Sequence, residues 1–284
     1  MLLKLKWFWS DDRKLKSNFI YDEISLEALS LKNQDKLQML QKNHHFISHL
    51  FFSGNLELLN SELLVAIVGS RKPNPYARSM TAMIASELAK YKACIISGGA
   101  LGIDIIAHSN ALDSTIMVSP CSIDLIYPIS NAEIIKKISE KGLILSEYKK
   151  CYRPYAHSFL QRNHIIIALA DIVIIPQADL KSGSMSSAFT ALKFQKPLYT
   201  IPHRVGESEG TNSLLEQGAA KAIYNISSFI QNELCLNIQK NDEILRFCAN
   251  MPSFEEAFSQ FGEKILEYEL EGKLIRENGK IRIK

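Results

Sequence analysis

The length, composition and charge of this chain are those of an ordinary globular protein and exclude several other classes. Its 284 residues suffice for one large domain and a small one, and its 46% hydrophobic and 22% charged residues exclude a disordered or fibrous chain. The formal net charge of +3 is too small to identify a partner.

The positive charge is concentrated in the middle of the chain. Residues 149–204 contain eight Lys/Arg and two Asp/Glu, a balance of +6. Residues 241–284 contain seven Lys/Arg and nine Asp/Glu, a balance of −2. A polyanion is therefore expected to bind to the middle of the chain rather than to its tail.

The cellular environment follows from the cysteines and from the apolar runs. The five cysteines contain no CxxC pair, which argues against zinc or another metal and indicates a reducing compartment. No stretch reaches the roughly 18 apolar residues that a membrane span needs, and residues 1–10 lack the features of a signal peptide. The sequence predicts a cytoplasmic protein without a membrane partner.

The first predicted region, residues 1–60, is weakly patterned and is expected to be partly helical and to pack on the main domain. Its apolar residues have helical spacing over 24–40, and residues 50–55 look like a short strand and turn. No Gly or Pro interrupts the helical stretch.

Residues 61–231 alternate between strands and helices. Nearly continuous apolar strands are predicted at 64–68, 94–97, 115–119, 143–146, 172–176 and 198–201, with amphipathic helices between them, including 131–141, 159–169 and 184–193. Such strands are typical of a parallel sheet covered by helices on both faces. We therefore predict an α/β domain with a doubly wound, mostly parallel sheet.

The end of the chain has a different pattern. Residues 232–241 are predicted to be a linker, and helices are expected near 243–249, 254–261 and 263–271. Asn278-Gly279 then separates two short β-capable runs, which is a strong hairpin signal. Three helices and a hairpin within residues 242–284 resemble a small winged-helix domain.

Three turns made of small residues are the main functional candidates. Gly69–Arg71 follows the first strand of the α/β domain, Ser97–Ala100 follows the second, and Ser182–Ser184 opens a helix. Such turns expose backbone N–H groups at helix N-termini, where anions bind. Arg71 adds a planar guanidinium group suited to phosphate. Lys193 lies further along the helix that Ser182–Ser184 opens and is within reach of a neighbouring phosphate.

Each candidate also has a plain structural interpretation. Arg71 can be a surface residue of a tight turn, and Ser182 can be a simple helix N-cap. Asp104 can be a first-turn carboxylate as readily as a functional group, with His108 as its pairing partner. For the stretch around Phe159 and Arg162, base stacking and a phosphate contact are as well supported as a core phenylalanine and an interior ion pair.

The motifs of common hydrolases do not occur. The chain contains no GxSxG, HExxH or GxxxxGK[ST] pattern, and residues 182–193 contain no Asp or Glu. A general acid or base is therefore not supplied by this helix. The turns are equipped to hold a phosphate and poorly equipped to attack a bond.

Taken in series, the short motifs resemble the DNA-processing protein A family (DprA, also called Smf). They keep that family's order and cover about residues 63–230. The motifs are Gly69-Ser70-Arg71, Ser97-Gly98-Gly99-Ala100-Leu101-Gly102-Ile103-Asp104, Tyr127-Pro128, Leu145-Ser146-Glu147, Phe159 with Arg162-Asn163, Ser182-Gly183-Ser184, and Gly210-Thr211-Asn212 with Gly218-Ala219.

The resemblance implies an extended Rossmann-like fold that binds single-stranded DNA, and duplex DNA more weakly, without cutting it. It also implies a role in natural transformation, in which the protein protects incoming DNA, helps to load the RecA recombinase and forms a homodimer. No catalytic residue or cofactor is implied. With the residue-level interpretation, the candidate DNA site comprises Gly69, Ser70, Arg71, Ser97, Gly98, Gly99, Ala100, His157, Ser158, Phe159, Arg162, Asn163, Ser182, Gly183, Ser184 and Lys193.

Two departures and two rival functions accompany this hypothesis. His157 stands where relatives often have Gly, and Ala156 where they sometimes have Lys, so a protonated His157 would replace a basic contact only in part. The Gly-rich turns also resemble nucleoside-monophosphate phosphoribohydrolases (the lysine-decarboxylase-like family), but that group needs a Glu that residues 188–193 lack. A nucleotide-sensing regulator is the third possibility.

Overall fold

The computed structural model describes residues 16–26, 29, 36, 38–40, 47, 49–234, 243–248, 251–277 and 279–283. The chain divides into two compact units, residues 1–226 and 227–284. The predicted linker at 232–241 lies mostly outside the described residues, so the predicted domain boundaries stay predictions. Within the described part, no helix is both long and apolar enough to cross a bilayer.

A nine-stranded sheet is the centre of the first unit. Its strands are β1 (Asp22–Ser25), β2 (His49–Gly54), β3 (Leu64–Ile67), β4 (Cys94–Ser97), β5 (Thr115–Val118), β6 (Leu143–Ser146), β7 (Ile172–Ile174), β8 (Leu198–Thr200) and β9 (Lys221–Ala222). They are arranged in the order β1-β2-β6-β5-β4-β3-β7-β8-β9. Strands β3 to β9 are parallel, whereas β1 and β2 are antiparallel additions at one edge.

Helices connect the parallel strands. They are α1 (Pro75–Lys90), α2 (Ile103–Ser109), α3 (Ala132–Lys141), α4 (Ala156–Leu169), α5 (Gly183–Lys193) and α6 (Glu209–Glu216), and the short α7 (Ile226–Ser228) follows β9. Single 3₁₀ turns occur at Leu56–Asn60, Leu112–Ser114 and Ile129–Asn131, and a π-helical turn at Phe229–Glu233 follows α7. The predicted alternation of strands and helices is confirmed, with end points that differ by up to three residues.

The sheet has an apolar core on each face, because its strands alternate their side chains between the faces. Val118 and Leu145 pack with Ile166 of α4 on one face. Met117 and Ile144 pack with Ile135 of α3 on the other. Helices therefore cover both faces, and the predicted doubly wound α/β fold is confirmed.

The prediction of a helix over residues 24–40 is wrong at its start. Ile24 lies in β1, where it is paired with Leu50 of the antiparallel strand β2. Backbone hydrogen bonds at the sheet edge override the helical spacing, as tertiary context often does. Residues 36 and 38–40 are helical, and Lys36 forms a 2.8 Å ion pair with Asp171.

The second unit contains three helices and a hairpin, in the predicted order. They are α8 (Glu243–Cys248), α9 (Phe254–Phe261), α10 (Lys264–Leu270), β10 (Leu274–Glu277) and β11 (Lys280–Ile283). The two strands pair antiparallel. Ile244, Ala257 and Ile265 belong to a small apolar core with residues of both strands. That these elements form a winged helix stays a prediction.

None of the cysteines that the structure describes, Cys94, Cys121, Cys151 and Cys248, forms a disulfide bond, and Cys235 lies outside the described residues. Burial raises the pKa of both Cys94 and Cys121 to about 12. These two thiols therefore remain protonated and behave as small apolar side chains.

Candidate functional site

The candidate site lies at the carboxyl ends of β3, β4 and β7, where the strand order reverses direction. The chain passes from β3 through β4 and β5 to β6 on one side, and then returns to place β7 on the other side of β3. The turns that follow these strands consequently meet above β3. Open α/β sheets bind their ligands at such a switch point.

A cleft of about 370 Å³ opens at this point and contains most of the predicted site residues. The predicted residues that line it are Gly69, Ser70, Arg71, Ala100, Phe159, Arg162, Asn163, Ser182, Gly183 and Ser184. Gly98 lines a smaller adjoining cavity of about 40 Å³, which shares Arg71, Phe159 and Arg162 with the cleft. Residues up to 115 positions apart in the sequence are thus neighbours.

Backbone hydrogen bonds hold the turn after β3 in place. The Ser70 N–H donates to the Gln177 carbonyl at 2.8 Å, and the Ser70 carbonyl accepts from the Ile103 N–H at 3.1 Å. The Ser70 hydroxyl oxygen accepts from the Lys72 N–H at 3.1 Å. A hydroxyl in this arrangement keeps its own hydrogen to donate to an anion.

Two glycines allow the turns to approach each other closely. A Cβ at Gly102, where φ is +83°, would collide with the Ser70 carbonyl oxygen. A Cβ at Gly69 would lie 2.7 Å from Cγ1 of Ile103. The turn after β4 therefore packs directly on the turn that carries Arg71, and this contact requires residues without a side chain.

Arg71 and Phe159 form the exposed part of the site. Arg71 is exposed, and its guanidinium carbon lies 5.0 Å from the centroid of the Phe159 ring, a cation–π distance. The Tyr127 ring lies on Phe159 with a centroid separation of 5.7 Å. A positive charge and an aromatic ring are thus presented side by side at the mouth of the cleft.

Arg162 lines the cleft from its buried side, and the phosphate contact that the sequence predicts for it stays a prediction. Its side chain is 3% exposed. Nη1 donates to the carbonyls of Gly98 and Val118, the latter at 2.9 Å, and Nε donates to Oδ1 of Asn163 at 2.8 Å. Arg162 thereby joins the turn after β4, the end of β5 and helix α4 beneath the cleft.

Asp104 lies at the base of the cleft and is 4% exposed. Burial raises its pKa, while the Arg162 charge and the Ala100 backbone amide act in the opposite direction. The predicted pairing of Asp104 with His108 is wrong. Nδ1 of His108 shares a 2.7 Å hydrogen bond with the Thr115 hydroxyl, and Nε2 is buried without a hydrogen-bond partner.

The N-terminus of α5 forms the opposite wall. The Ser182 hydroxyl accepts from the Met185 N–H at 3.3 Å, so Ser182 is the N-cap of this helix. Nothing lies within 4 Å of where a Cβ of Gly183 would stand. The start of α5 lines the cleft with Ser182, Gly183 and Ser184, and the space beside Gly183 leaves room for an anion at the helix N-terminus. Asn163 fixes this end of the helix by donating to the Ser187 hydroxyl at 3.0 Å.

Three predicted residues have their polar groups engaged in the interior. The buried Ser97 hydroxyl donates to the Ile67 carbonyl at 2.5 Å, and the Gly99 carbonyl accepts from the Asn131 side chain at 2.9 Å. The buried Ser158 hydroxyl donates to the Tyr155 carbonyl at 2.7 Å and accepts from its N–H, which completes a capping box at the start of α4. These residues shape the site from behind.

Two further predicted residues are exposed but do not line the cleft. Nε2 of His157 lies 3.0 Å from the Tyr152 hydroxyl. Lys193 is the last residue of α5, which places it about 15 Å along the helix axis from Gly183. The shared helix therefore led the sequence interpretation to place Lys193 too near the turn at Ser182–Ser184.

The cleft also contains residues that the sequence reasoning did not assign to it, namely Lys72, Leu160, Asp179 and Ser187. The sequence could have indicated two of them, since Lys72 adjoins Arg71 and Ser187 lies one helical turn after Gly183. Nothing in the sequence indicates that Asp179 faces the cleft, because the side-chain direction of a loop residue does not follow from a local pattern. Within the described part of the chain, no cluster of His, Cys, Asp or Glu could hold a metal ion.

A protein-family model described as DNA recombination-mediator protein A matches residues 29–233 of this chain. The protein Smf of Synechocystis sp. is 36% identical over 178 residues, which is 60% of this chain and 45% of that protein. DNA processing protein DprA of Bacillus subtilis is 30% identical over 195 residues, 67% of this chain and 65% of that protein. The chain thus spans less than two thirds of these curated relatives.

Solved structures support the same relationship. DNA processing protein A from Helicobacter pylori, a protein described as having a unique single-stranded DNA binding mode, is 50% identical with a TM-score of 0.72, covering 78% of this chain and 99% of its own. DprA from Streptococcus pneumoniae is 29% identical with a TM-score of 0.66, covering 81% and 80%. The family model matches well over half of the chain, so the chain belongs to the DNA recombination-mediator protein A family.

Proposed function

We propose that this protein binds single-stranded DNA in the cleft above β3 and acts as a recombination mediator without breaking bonds. The observation that carries this proposal is the meeting of Arg71, Phe159 and the open N-terminus of α5 in one cleft. Phosphates would bind at Arg71, the Ser70 hydroxyl and the N–H groups of α5, and a base would stack on Phe159. Binding of this kind tolerates most sequences.

The comparisons support single-stranded DNA as the ligand. The H. pylori relative, which is 50% identical, is described as binding it, and the charge balance of +6 over residues 149–204 favours a polyanion. A DNA strand extends beyond the cleft, so the exposed residues His157 and Lys193 stay candidates for contacts with nucleotides on either side of it. Duplex DNA is expected to bind more weakly.

The biological process, the protein partner and the oligomeric state are proposed from membership of the family. We propose that the protein protects incoming DNA during natural transformation and helps to load RecA on it, in the cytoplasm. A homodimer would place two clefts on one strand and raise the overall affinity. The winged-helix-like tail, with its balance of −2, suits a protein contact better than a DNA contact.

The rival enzymatic function needs a group that can act as a general acid or base. Asp104 is buried among Arg162 and the backbone amides of its own turn, and Asp179 is an exposed loop residue. Neither resembles the helical Glu of the phosphoribohydrolase group. Incubation with nucleoside monophosphates tests this directly, and release of free base would favour the enzyme.

The main experiment measures the affinity for fluorescent oligo-dT by anisotropy. Arg71→Ala is expected to weaken binding by about tenfold or more, because a charged contact and the support of the Phe159 ring are both lost. Lys90→Ala is the matched control, since it removes one positive charge at the last residue of α1, which precedes the amino end of β4. Equal affinities for the unaltered protein and Arg71→Ala would overturn the assignment of the cleft.

A further inference from the structure

Three tyrosines on the loop between β6 and α4 form a connected set of rings, which we call the tyrosine ladder (Tyr148, Tyr152 and Tyr155). The Tyr148 and Tyr152 rings are stacked, with centroids 3.9 Å apart and planes 3° apart. Tyr152 then meets Tyr155 edge-on, with centroids 5.7 Å apart and planes at 72°.

The tyrosine ladder ends next to the cleft. Tyr155 is the N-cap of α4, and Phe159, which lines the cleft, lies four residues later in the same helix. Tyr155 itself has an extended backbone, and its ring lies parallel to the His157 ring, with centroids 5.8 Å apart and planes 4° apart. Because Tyr155 precedes the first turn of the helix that carries Phe159, a strand that leaves the cleft toward the N-terminus of α4 passes the Tyr155 ring.

The charge and exposure of this surface suit a nucleic acid strand. Tyr155 is 53% exposed, and Lys149 and Lys150 are exposed on the same loop. Residues 148–163 contain four Lys/Arg and no Asp or Glu. Exposed aromatic rings between basic residues are the usual means of binding unpaired strands, since rings stack on bases and cations attract the phosphates.

The loop is held rigidly, so the rings need little ordering when a strand binds. The Tyr152 carbonyl accepts from the N–H and the hydroxyl of Ser122, at 3.1 and 3.2 Å. The Cys151 N–H donates to the Asp124 carboxylate at 3.1 Å, and the Tyr148 hydroxyl donates to Gln161 at 2.9 Å. A preorganised surface loses less conformational entropy on binding than a mobile one.

We propose that the tyrosine ladder is a second stacking surface for single-stranded DNA, beyond the one formed by Phe159. A base of the strand leaving the cleft stacks on Tyr155, the stacked pair of Tyr148 and Tyr152 supports that ring, and Lys149 and Lys150 contact the phosphates alongside. This inference rests on the proposed function of the cleft. It extends the strand's path along residues 148–155.

The experiment compares oligo-dT of increasing length, from 4 to about 20 nucleotides, on the unaltered protein and Tyr155→Ala. The variant is expected to bind the shortest oligomers as the unaltered protein does, because these fill only the cleft. For the longest oligomers it is expected to lose at least about fivefold in affinity, the lower limit for one stacked base. Tyr155→Phe, which keeps the ring, is expected to retain the full affinity.

Two controls separate the possible failures. Tyr91→Ala removes a tyrosine that follows α1 and precedes the amino end of β4, and it should leave both affinities unchanged. If Tyr155→Ala does not fold, Tyr155→Leu replaces it, since leucine keeps the apolar bulk without a stacking face. An unaltered protein that binds no oligomer would overturn the proposed function, whereas identical length dependence in the variant and the unaltered protein would overturn the tyrosine ladder alone.

Discussion

Phe159 and Arg162 are one helical turn apart on α4 and contribute differently to the site. Phe159 presents its ring to the cleft beneath Arg71, whereas Arg162 is 3% exposed and donates to the carbonyls of Gly98 and Val118. From the sequence, both residues could equally be core or ligand contacts. Only their environments separate them, because Nε and Nη1 of Arg162 donate to protein oxygens, whereas the Phe159 ring lies under Arg71 at the cleft.

A prediction at this scale concerns His108, whose pKa burial lowers to about 3. The unfolded chain gains a proton on this residue below about pH 6.5, while the folded protein does not. The free energy of unfolding is therefore expected to decrease by about 2 kcal/mol from this residue alone as the pH falls from 6.5 to 4.5. His108→Asn, which can keep the bond to Thr115, should show a correspondingly shallower loss in urea unfolding. Parallel pH profiles for the two proteins would contradict this.

At the scale of elements, the site depends on how closely the turns after β3 and β4 approach each other. The Ile103 N–H donates to the Ser70 carbonyl at 3.1 Å, and Gly102 leaves room for that contact. The connection from β4 into α2 thus supports the backbone of Ser70, the residue before Arg71. The turns after β3 and β4 consequently hold each other in place at the sheet edge.

Gly102→Ala tests this coupling. Its Cβ would collide with the Ser70 carbonyl oxygen and lie 2.7 Å from the Arg71 carbonyl carbon. We expect a loss of at least about 2 kcal/mol of stability and at least tenfold weaker binding of oligo-dT, because the Arg71 turn must move. Gly206→Ala is the matched control, since Gly206 has φ +82° with nothing within 4 Å of the added Cβ. Equal effects of the two substitutions would show that backbone strain, and not the turn contact, is responsible.

At the scale of the whole molecule, the charge distribution determines how binding responds to salt. The cleft contains the exposed cations Arg71 and Lys72, and residues 149–204 carry a balance of +6. Release of counterions contributes about 0.7 to the slope of log affinity against log salt for each phosphate of a single strand. The proposed binding would therefore depend on several weak cationic contacts.

We expect the affinity for oligo-dT to fall with a log–log slope of about −2 for three phosphate contacts, and more steeply if Lys149 and Lys150 take part. Titrations at four or five NaCl concentrations measure this slope, and Arg71→Ala should make it shallower by about 0.7. A slope close to zero would contradict binding through the phosphates. Arg282→Ala, in the second unit, removes the same charge and is expected to leave the slope unchanged.

The sequence by itself determined the class of fold and the position of the turns made of small residues. Apolar strands such as Cys94–Ser97 that alternate with amphipathic helices are typical of a parallel sheet covered by helices, and turns such as Gly69–Arg71 follow directly from the local run of small residues. Both features depend on residues that are close together in the sequence, and therefore they can be predicted without knowledge of the fold.

Only the tertiary structure decided which residues share the cleft. It excluded the polar groups of Ser97 and Ser158, placed Lys193 at the far end of α5, and brought in Asp179 from the loop after β7. It also paired Ile24 with Leu50 where the apolar spacing predicted a helix. The physical reason is that burial and side-chain direction depend on contacts between residues far apart in the chain. The local spacing of residues does not indicate these contacts.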